Sequence, residues 1–420
     1  MDNSPHKRLK VLLGCYACAP DKGSEPGMGW NFLSNIAKYH DVHAIVEEGE
    51  FKECLTAYAA QHPEAVRNIT FHFVPRSHHN TLRKIWPPSY YWFYRAWHKR
   101  ALKLARKLDK RENFDIVHQV NMAGYREPGY LWKLGKPFIW GPLGGLNNTA
   151  WCLLPELGFR DSIFYGLRNI INSWQKRFGY AARTVSQHAS AILVSDPDGI
   201  RTVEYLWKRH PILMREVGSA PIEQEPVITP RLSGEALRVC WVGVHEARKA
   251  LPILLRALAQ CHCAVTLDVL GSGEKEAAWK QLSHNLHLDD RVRFHGAIPH
   301  AQVSEIMKQS HLMCISSIHE GGTTSVCLEA LQCGLPILAL DHCGFATVID
   351  ETCGIKIPIQ SQAAISARMA QELDRLAADD ALRMQLAKGA TVRSKAFTWD
   401  AKMELLNRVY KEAVYSGSIS

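Results

Sequence analysis

Two stretches of alternating strand-like and helix-like pattern, separated by one stretch with neither, constrain this chain more than any other feature. From Leu9 the sequence reads "LKVLLGCY", an apolar run that predicts a buried strand over Lys10–Tyr16, followed by "GWNFLSNIAKY" at helical spacing. Further strands are expected at "DVHAIVE", "ITFHFVP", "FDIVHQV", "PFIWGP" and "ASAILVSD", with helical stretches between them. The segment "PIEQEPVITPRLSGEALR" is rich in Pro, Gly and charge and carries no period, so it reads as a linker. Beyond it the alternation restarts with "LRVCWVG", "ALPILLRALAQ", "VTLDVLG", "EKEAAWKQLSHNL", "VRFHG", "AQVSEIMKQS", "HLMCISS" and "LPILAL". Strands interleaved with helices predict parallel, doubly wound sheets. The expected division is a first α/β domain over 1–221, a linker over 222–235 and a second α/β domain over 236–395. The amphipathic segment "FTWDAKMELLNRVYKEAV", within 396–420, would form a last helix crossing back to the first domain. Two such sheets face a cleft, and ligands of open α/β sheets bind beyond the carboxyl ends of the strands.

A length of 420 residues agrees with two cores rather than one. No stretch approaches the roughly 18–20 apolar residues of a membrane-spanning helix. The net charge of +9 favours an anionic partner, either phosphate, nucleic acid or an acidic membrane face. Twelve cysteines are too sparse in a chain of this size for a disulfide scaffold, and Cys240, Cys314, Cys327 and Cys333 sit inside apolar runs, so reduced thiols are expected. Cys15-x-x-Cys18 has no second such pair to make a metal site. Only Val11, Leu12 and Leu13 precede Gly14-Cys15, too short an apolar segment for a secretory signal, and a cytoplasmic location is expected.

The chemistry concentrates in "HEGGTTSVCLEALQCGLP", from His319 to Pro336. A strand, a turn of small residues and a helix follow one another here, the helix closed by Gly334. Thr323, Thr324 or Ser325 can cap that helix. Backbone N–H groups from Gly321 to Ser325 would then form an anion site, and the missing side chains of Gly321 and Gly322 would let a phosphate approach. Glu329, about one turn in, can accept two hydroxyl hydrogen bonds, as a ribose offers. Glu320 would face whatever the phosphate carries. The plain alternative, a strand-end Glu320 and a solvated Glu329, explains neither the glycine pair nor the "ALQCGLPI" that follows.

These residues resemble the nucleotide-sugar site of glycosyltransferase family 4, whose members have the two-domain GT-B fold. "GSEPGMGWNFLSNIAKYHDVHAIVE" is similar to that family's glycine-rich first loop and helix. "WVGVHEARKALPILLRAL" resembles its phosphate-binding turn, and "VRFHGAIPHAQVSEIMKQSHLMCISS" the run leading to its paired glutamates. The resemblance implies retaining, metal-independent transfer of a sugar from a nucleotide diphosphate to a hydroxyl acceptor, with no cofactor. It implies that Glu329 holds the ribose, Glu320 a donor-sugar hydroxyl, and Arg248 and Lys249 the diphosphate. Gly243, His245, Gly296, Gly321, Gly322, Thr323 and Thr324 would line the donor site, with Gly23, Gly27 and Gly29 approaching from the first domain. His118 would end a strand near the reacting carbon, a buried structural histidine being the competing reading.

Three positions depart from the family pattern. Eight residues separate the two glutamates where seven are usual, Val244 stands where an arginine is usual, and Val120 where a histidine often stands. Val244 shifts its duty onto Arg248 or His245.

Other motifs carry less. "GSGEKE" lacks the third glycine of a dinucleotide fingerprint and reads as a tight turn. "SDPDG" contains the Asp-x-Asp of metal-dependent glycosyltransferases, and a helix-start turn is the better reading. Residues 83–111 hold ten basic residues against one acidic, interleaved with Trp86, Trp92, Phe93 and Trp97. No nucleic-acid motif accompanies them. A basic aromatic helix fits the inner face of an anionic membrane and would suit a lipid-linked acceptor, with polysaccharide or glycolipid synthesis as the setting. The alternatives are a nucleotide-sugar epimerase or phosphorylase of the same fold, or a chain that binds nucleotide sugar or membrane without catalysis.

Overall fold

A computed structural model of the chain describes residues 8–76, 89–232, 234–322 and 325–416. The first sheet contains β1 (Lys10–Cys15), β2 (Asp41–Glu47), β3 (Ile69–Val74), β4 (Ile116–Asn121), β5 (Phe138–Leu143), β6 (Ala191–Val194) and β7 (Pro211–Leu213). The second contains β8 (Leu237–Val242), β9 (Val265–Leu270), β10 (Val292–Gly296), β11 (Leu312–Ile315), β12 (Ile337–Leu340) and β13 (Gly354–Ile357). All pairings are parallel, in the orders β3-β2-β1-β4-β5-β6-β7 and β10-β9-β8-β11-β12-β13. Both sheets are therefore Rossmann-like. Strand order reverses between β1 and β4 and between β8 and β11, and each reversal opens a crevice at the carboxyl ends of its strands.

The apolar runs are explained by burial on both faces. Every residue of β4 and β5 is buried, as expected of strands covered by helices above and below. In β8 the alternation sorts side chains between two cores: Leu237, Val239 and Trp241 join one apolar cluster, and Cys240 the other. All twelve cysteines are free thiols.

Six helices position the rest: α1 (Ser24–Tyr39), α2 (Tyr90–Glu112), α3 (Phe159–Phe178), α4 (Leu251–Leu258), α5 (Ser325–Gln332) and α6 (Trp399–Ser416). Residues 214–236 form no helix or strand apart from the bridge between Ser219 and Thr398. There Ser219 N–H donates to Phe397 O, and Trp399 N–H donates to Ser219 O, both at 3.0 Å. α6 then packs Met403, Leu406 and Tyr410 into the core of the first sheet. "SDPDG" starts a short helix: Asp196 Oδ1 accepts from Gly199 N–H at 2.7 Å. No described helix is long and apolar enough to cross a membrane.

The basic aromatic segment departs from expectation. Arg83, Lys84 and Trp86 lie outside the described residues. On α2, Trp97 is 1% exposed and its indole N–H donates to Val74 O at 3.0 Å, with Tyr94 and His98 buried beside it. The apolar side of this helix packs on the protein, so its aromatics do not line one outward face.

Candidate functional site

The two turns at the reversal point of the second sheet are stitched together before any ligand is considered. After β8 the chain passes Gly243 and a tight turn, Ala247–Lys249, and then enters α4. Ile318 N–H donates to Arg248 O at 2.9 Å and Ser316 Oγ to Lys249 O at 2.8 Å. The Trp241 indole N–H donates to Ser316 Oγ at 3.0 Å. These bonds fix the backbone of the cationic turn against the backbone leading to Glu320.

Glu320 is 5% exposed and is held by two cations at once. Arg248 Nη1 lies 2.6 Å from Oε2, and Lys249 Nζ lies 2.5 Å from Oε1. Arg248 also donates to His319 O at 3.3 Å and pairs through Nε with Glu246 at 2.8 Å. Burial works against the charge on Arg248, but Glu320 and Glu246 outweigh it and hold its pKa above the usual value. A buried carboxylate paired with two fixed cations leaves one positive charge in excess, a disposition suited to a bound anion.

The first domain closes on the same point. In the loop after β5, Asn147 Nδ2 donates to Glu320 O, and Thr149 Oγ1 lies 3.1 Å from His319 Nδ1. A Cβ at Gly144 would stand 3.1 Å from Gly321 O and 2.6 Å from a Glu216 carboxylate oxygen, and one at Gly322 would overlap Glu216. The glycines at 144 and 322 thus make room for Glu216. Burial, reinforced by Glu25 and Asp196, pushes its carboxyl up to about 8.

The remaining expected residues divide clearly. Glu329 lies on α5 with its carboxylate 3.3 Å from His300 Nε2. Gly243 sits beside the Lys249 side chain, Cβ to Cδ distance 3.6 Å. Gly296 ends β10 at φ +69°, and Gly321 has open space around its Cα. Gly23 precedes α1 and is also open, whereas a Cβ on Gly27 or Gly29 would strike the carbonyl of Lys22 or Ala17. Those two glycines let α1 pack on its own loop. Thr323 and Thr324 lie outside the described residues.

Two histidines sit differently from the expectation. His245 is fully buried, its ring 5.7 Å from that of Trp241 and 5.1 Å from that of Trp279, and burial lowers its pKa. It is a neutral packing group, so the duty that Val244 cannot perform is left to Arg248 and Lys249. His118 is also fully buried, with Nδ1 2.6 Å from the Tyr410 hydroxyl and Nε2 2.7 Å from Gly141 O. Burial pushes it down to about 4. Both nitrogens are engaged inside the core of the first sheet, which is a structural position rather than one at a reacting carbon.

Glu216, Asn147 and Thr149 were not anticipated. "GPLGGLNNT" follows an expected strand with a glycine pair, the same signature that pointed to Gly321 and Gly322, and would have marked the loop. Glu216 has no such signature.

Residues 230–393 match the family model of glycosyl transferases group 1. The match spans the second sheet and both turns around Glu320. Among curated proteins, the phosphatidyl-myo-inositol mannosyltransferase of Mycobacterium leprae is 28% identical over 177 residues, 41% of this chain and 46% of that one. The D-inositol 3-phosphate glycosyltransferase of Salinispora tropica is 31% identical over 189 residues, 42% of this chain and 38% of that one. These alignments cover less than half the length of either relative. Solved structures extend the likeness to both domains. HepE from Anabaena, in complex with UDP, aligns over 96% of this chain and 100% of its own, with a TM-score of 0.60 at 15% identity. Sucrose-phosphate synthase from Thermosynechococcus elongatus aligns over 97% and 100%, with a TM-score of 0.63 at 17% identity. The fold is the GT-B architecture.

Proposed function

We propose that this protein is a retaining glycosyltransferase that moves a sugar from a nucleotide diphosphate to a hydroxyl acceptor. The observation that carries the reading is the Arg248–Glu320–Lys249 cluster beside Gly321, within the segment that matches the family model. As the bond to the anomeric carbon breaks, the nucleotide diphosphate gains negative charge. Cations already in place stabilise that charge without reorganising, which is the usual source of large rate effects. Arg248 and Lys249 would thereby do the neutralising that a metal does in other transferases. Glu320, freed from one cation, would accept from a donor-sugar hydroxyl, and Glu329 from the ribose. UDP, present with the structural neighbour HepE, supports a nucleotide-sugar donor.

The M. leprae relative is named for a phosphatidyl-inositol acceptor, and a lipid-linked acceptor is the corresponding reading here, with the inner face of an anionic membrane as its place. The exposed bases of α2, such as Lys99 and Lys103, could meet headgroups while Trp97 stays in the core. A melting-temperature screen against UDP, GDP, ADP and their sugars tests donor binding, because a ligand bound only by the folded state raises the midpoint. No shift with any of them would refute the donor site. The anomeric configuration of the product by NMR decides retention, and activity that survives a chelator decides the metal question.

A further inference from the structure

α3 is built inside out. Its inward side is polar: Asn169 Nδ2 donates to Thr149 O at 2.7 Å, and Asn172 Nδ2 donates to Asn147 O at 3.2 Å. Asn172 Oδ1 accepts from the Tyr125 hydroxyl at 2.8 Å. These bonds leave the helix no freedom to roll its other side inward. That outward side is a continuous apolar stripe of Ile163, Phe164, Leu167, Ile170, Ile171 and Trp174, each 49–62% exposed. The helix of 20 residues is about 30 Å long, so the stripe is far larger than the scattered apolar residues of an ordinary surface.

The charges around the stripe say what covers it. Arg160 is exposed in the first turn, Arg177 in the last, and Arg183 just beyond. Asp161, the one acid on the helix, lies 3.5 Å from Lys275. Tyr180, 83% exposed, adds an amphipathic ring at the end. A second copy docked through the same stripe would set Arg160 against Arg177 if antiparallel, or like against like if parallel, so self-pairing brings cations together. An anionic bilayer offers both apolar depth and negative headgroups, and it matches the pattern of interfacial helices.

We propose that α3 seats the protein on an anionic phospholipid surface, its apolar stripe below the headgroups and Arg160 and Arg177 among them. The inference goes beyond the transferase reading and stands without donor or acceptor. The full-length chain should co-sediment with vesicles of phosphatidylglycerol and phosphatidylcholine in equal parts, and much less with phosphatidylcholine alone. Combining Leu167→Ser, Ile170→Ser and Trp174→Ser, all at exposed positions, should weaken that binding about tenfold or more. Arg160→Glu with Arg177→Glu should weaken it independently, keeping the test available if the first variant misfolds. Added salt should release the wild type only in part, because insertion is not screened. The proposal is overturned if the wild type does not sediment, or if both variants sediment like it. It is also overturned if the wild type is a dimer that the serine variant converts to monomer, which would make a second copy the occupant.

Discussion

At the scale of single residues, the site turns on four charges. Glu329→Gln keeps the shape of α5 but weakens its bonds to ribose hydroxyls, at about 1.5–3 kcal/mol each. Nucleotide affinity should fall about tenfold or more by calorimetry, with the melting temperature unchanged. Lys249→Ala should lower kcat about a hundredfold. Because His245 is buried and neutral, it offers no substitute charge, and Arg248→Ala should lose as much. An Arg248 variant with wild-type turnover would mean that the diphosphate is held elsewhere. Glu320 was legible because an acid before a glycine pair at the mouth of a helix has few other uses. Glu216 was not, because only the meeting of residues 144, 216 and 322 gives it meaning.

At the scale of elements, periodicity located nearly every strand and helix but could not tell which way they face. α2 and α3 show the difficulty. Both are amphipathic, and a period records that a helix has two faces without saying which one meets the protein. The basic aromatic α2 turns its apolar side inward, with Trp97 on Val74, whereas α3 turns its asparagines inward because the loop at Asn147–Thr149 offers them partners. α6 poses the simpler case of an apolar side that finds a core. Tyr410→Phe removes the partner of His118 Nδ1 at 2.6 Å, and leaving a buried polar atom unpaired costs about 1–3 kcal/mol. Leu406→Ala, at a fully buried position, should cost about 2–5 kcal/mol. Denaturant midpoints measure both, and near-zero effects would mean that α6 is dispensable to the first domain.

At the scale of the whole molecule, buried histidines tie stability to pH. Burial pushes His118 down to about 4, and His98 and His319 to about 3. Their unfolded values lie near 6.5, so below that pH the unfolded chain binds more protons than the native one. Stability should therefore fall as pH drops from about 6.5 towards 4, by up to about 1.4 kcal/mol per unit for each group. Melting curves at pH 7 and pH 5 test the sign, and His118→Gln should narrow the gap between them. A molecule equally stable at both values would contradict the neutral buried state of these rings.

Without a ligand, Arg248 and Lys249 are not waiting in water, because Glu320 already occupies both. The site thus resembles an ion exchanger loaded with its own counter-ion. An incoming anion must displace a tethered carboxylate, so free inorganic phosphate, with no second anchorage, competes poorly. A diphosphate that also engages the helix N–H groups displaces it readily and hands Glu320 to the sugar. Selection of donor over solvent ions would then lie in the exchange itself, before any contact with the sugar is made.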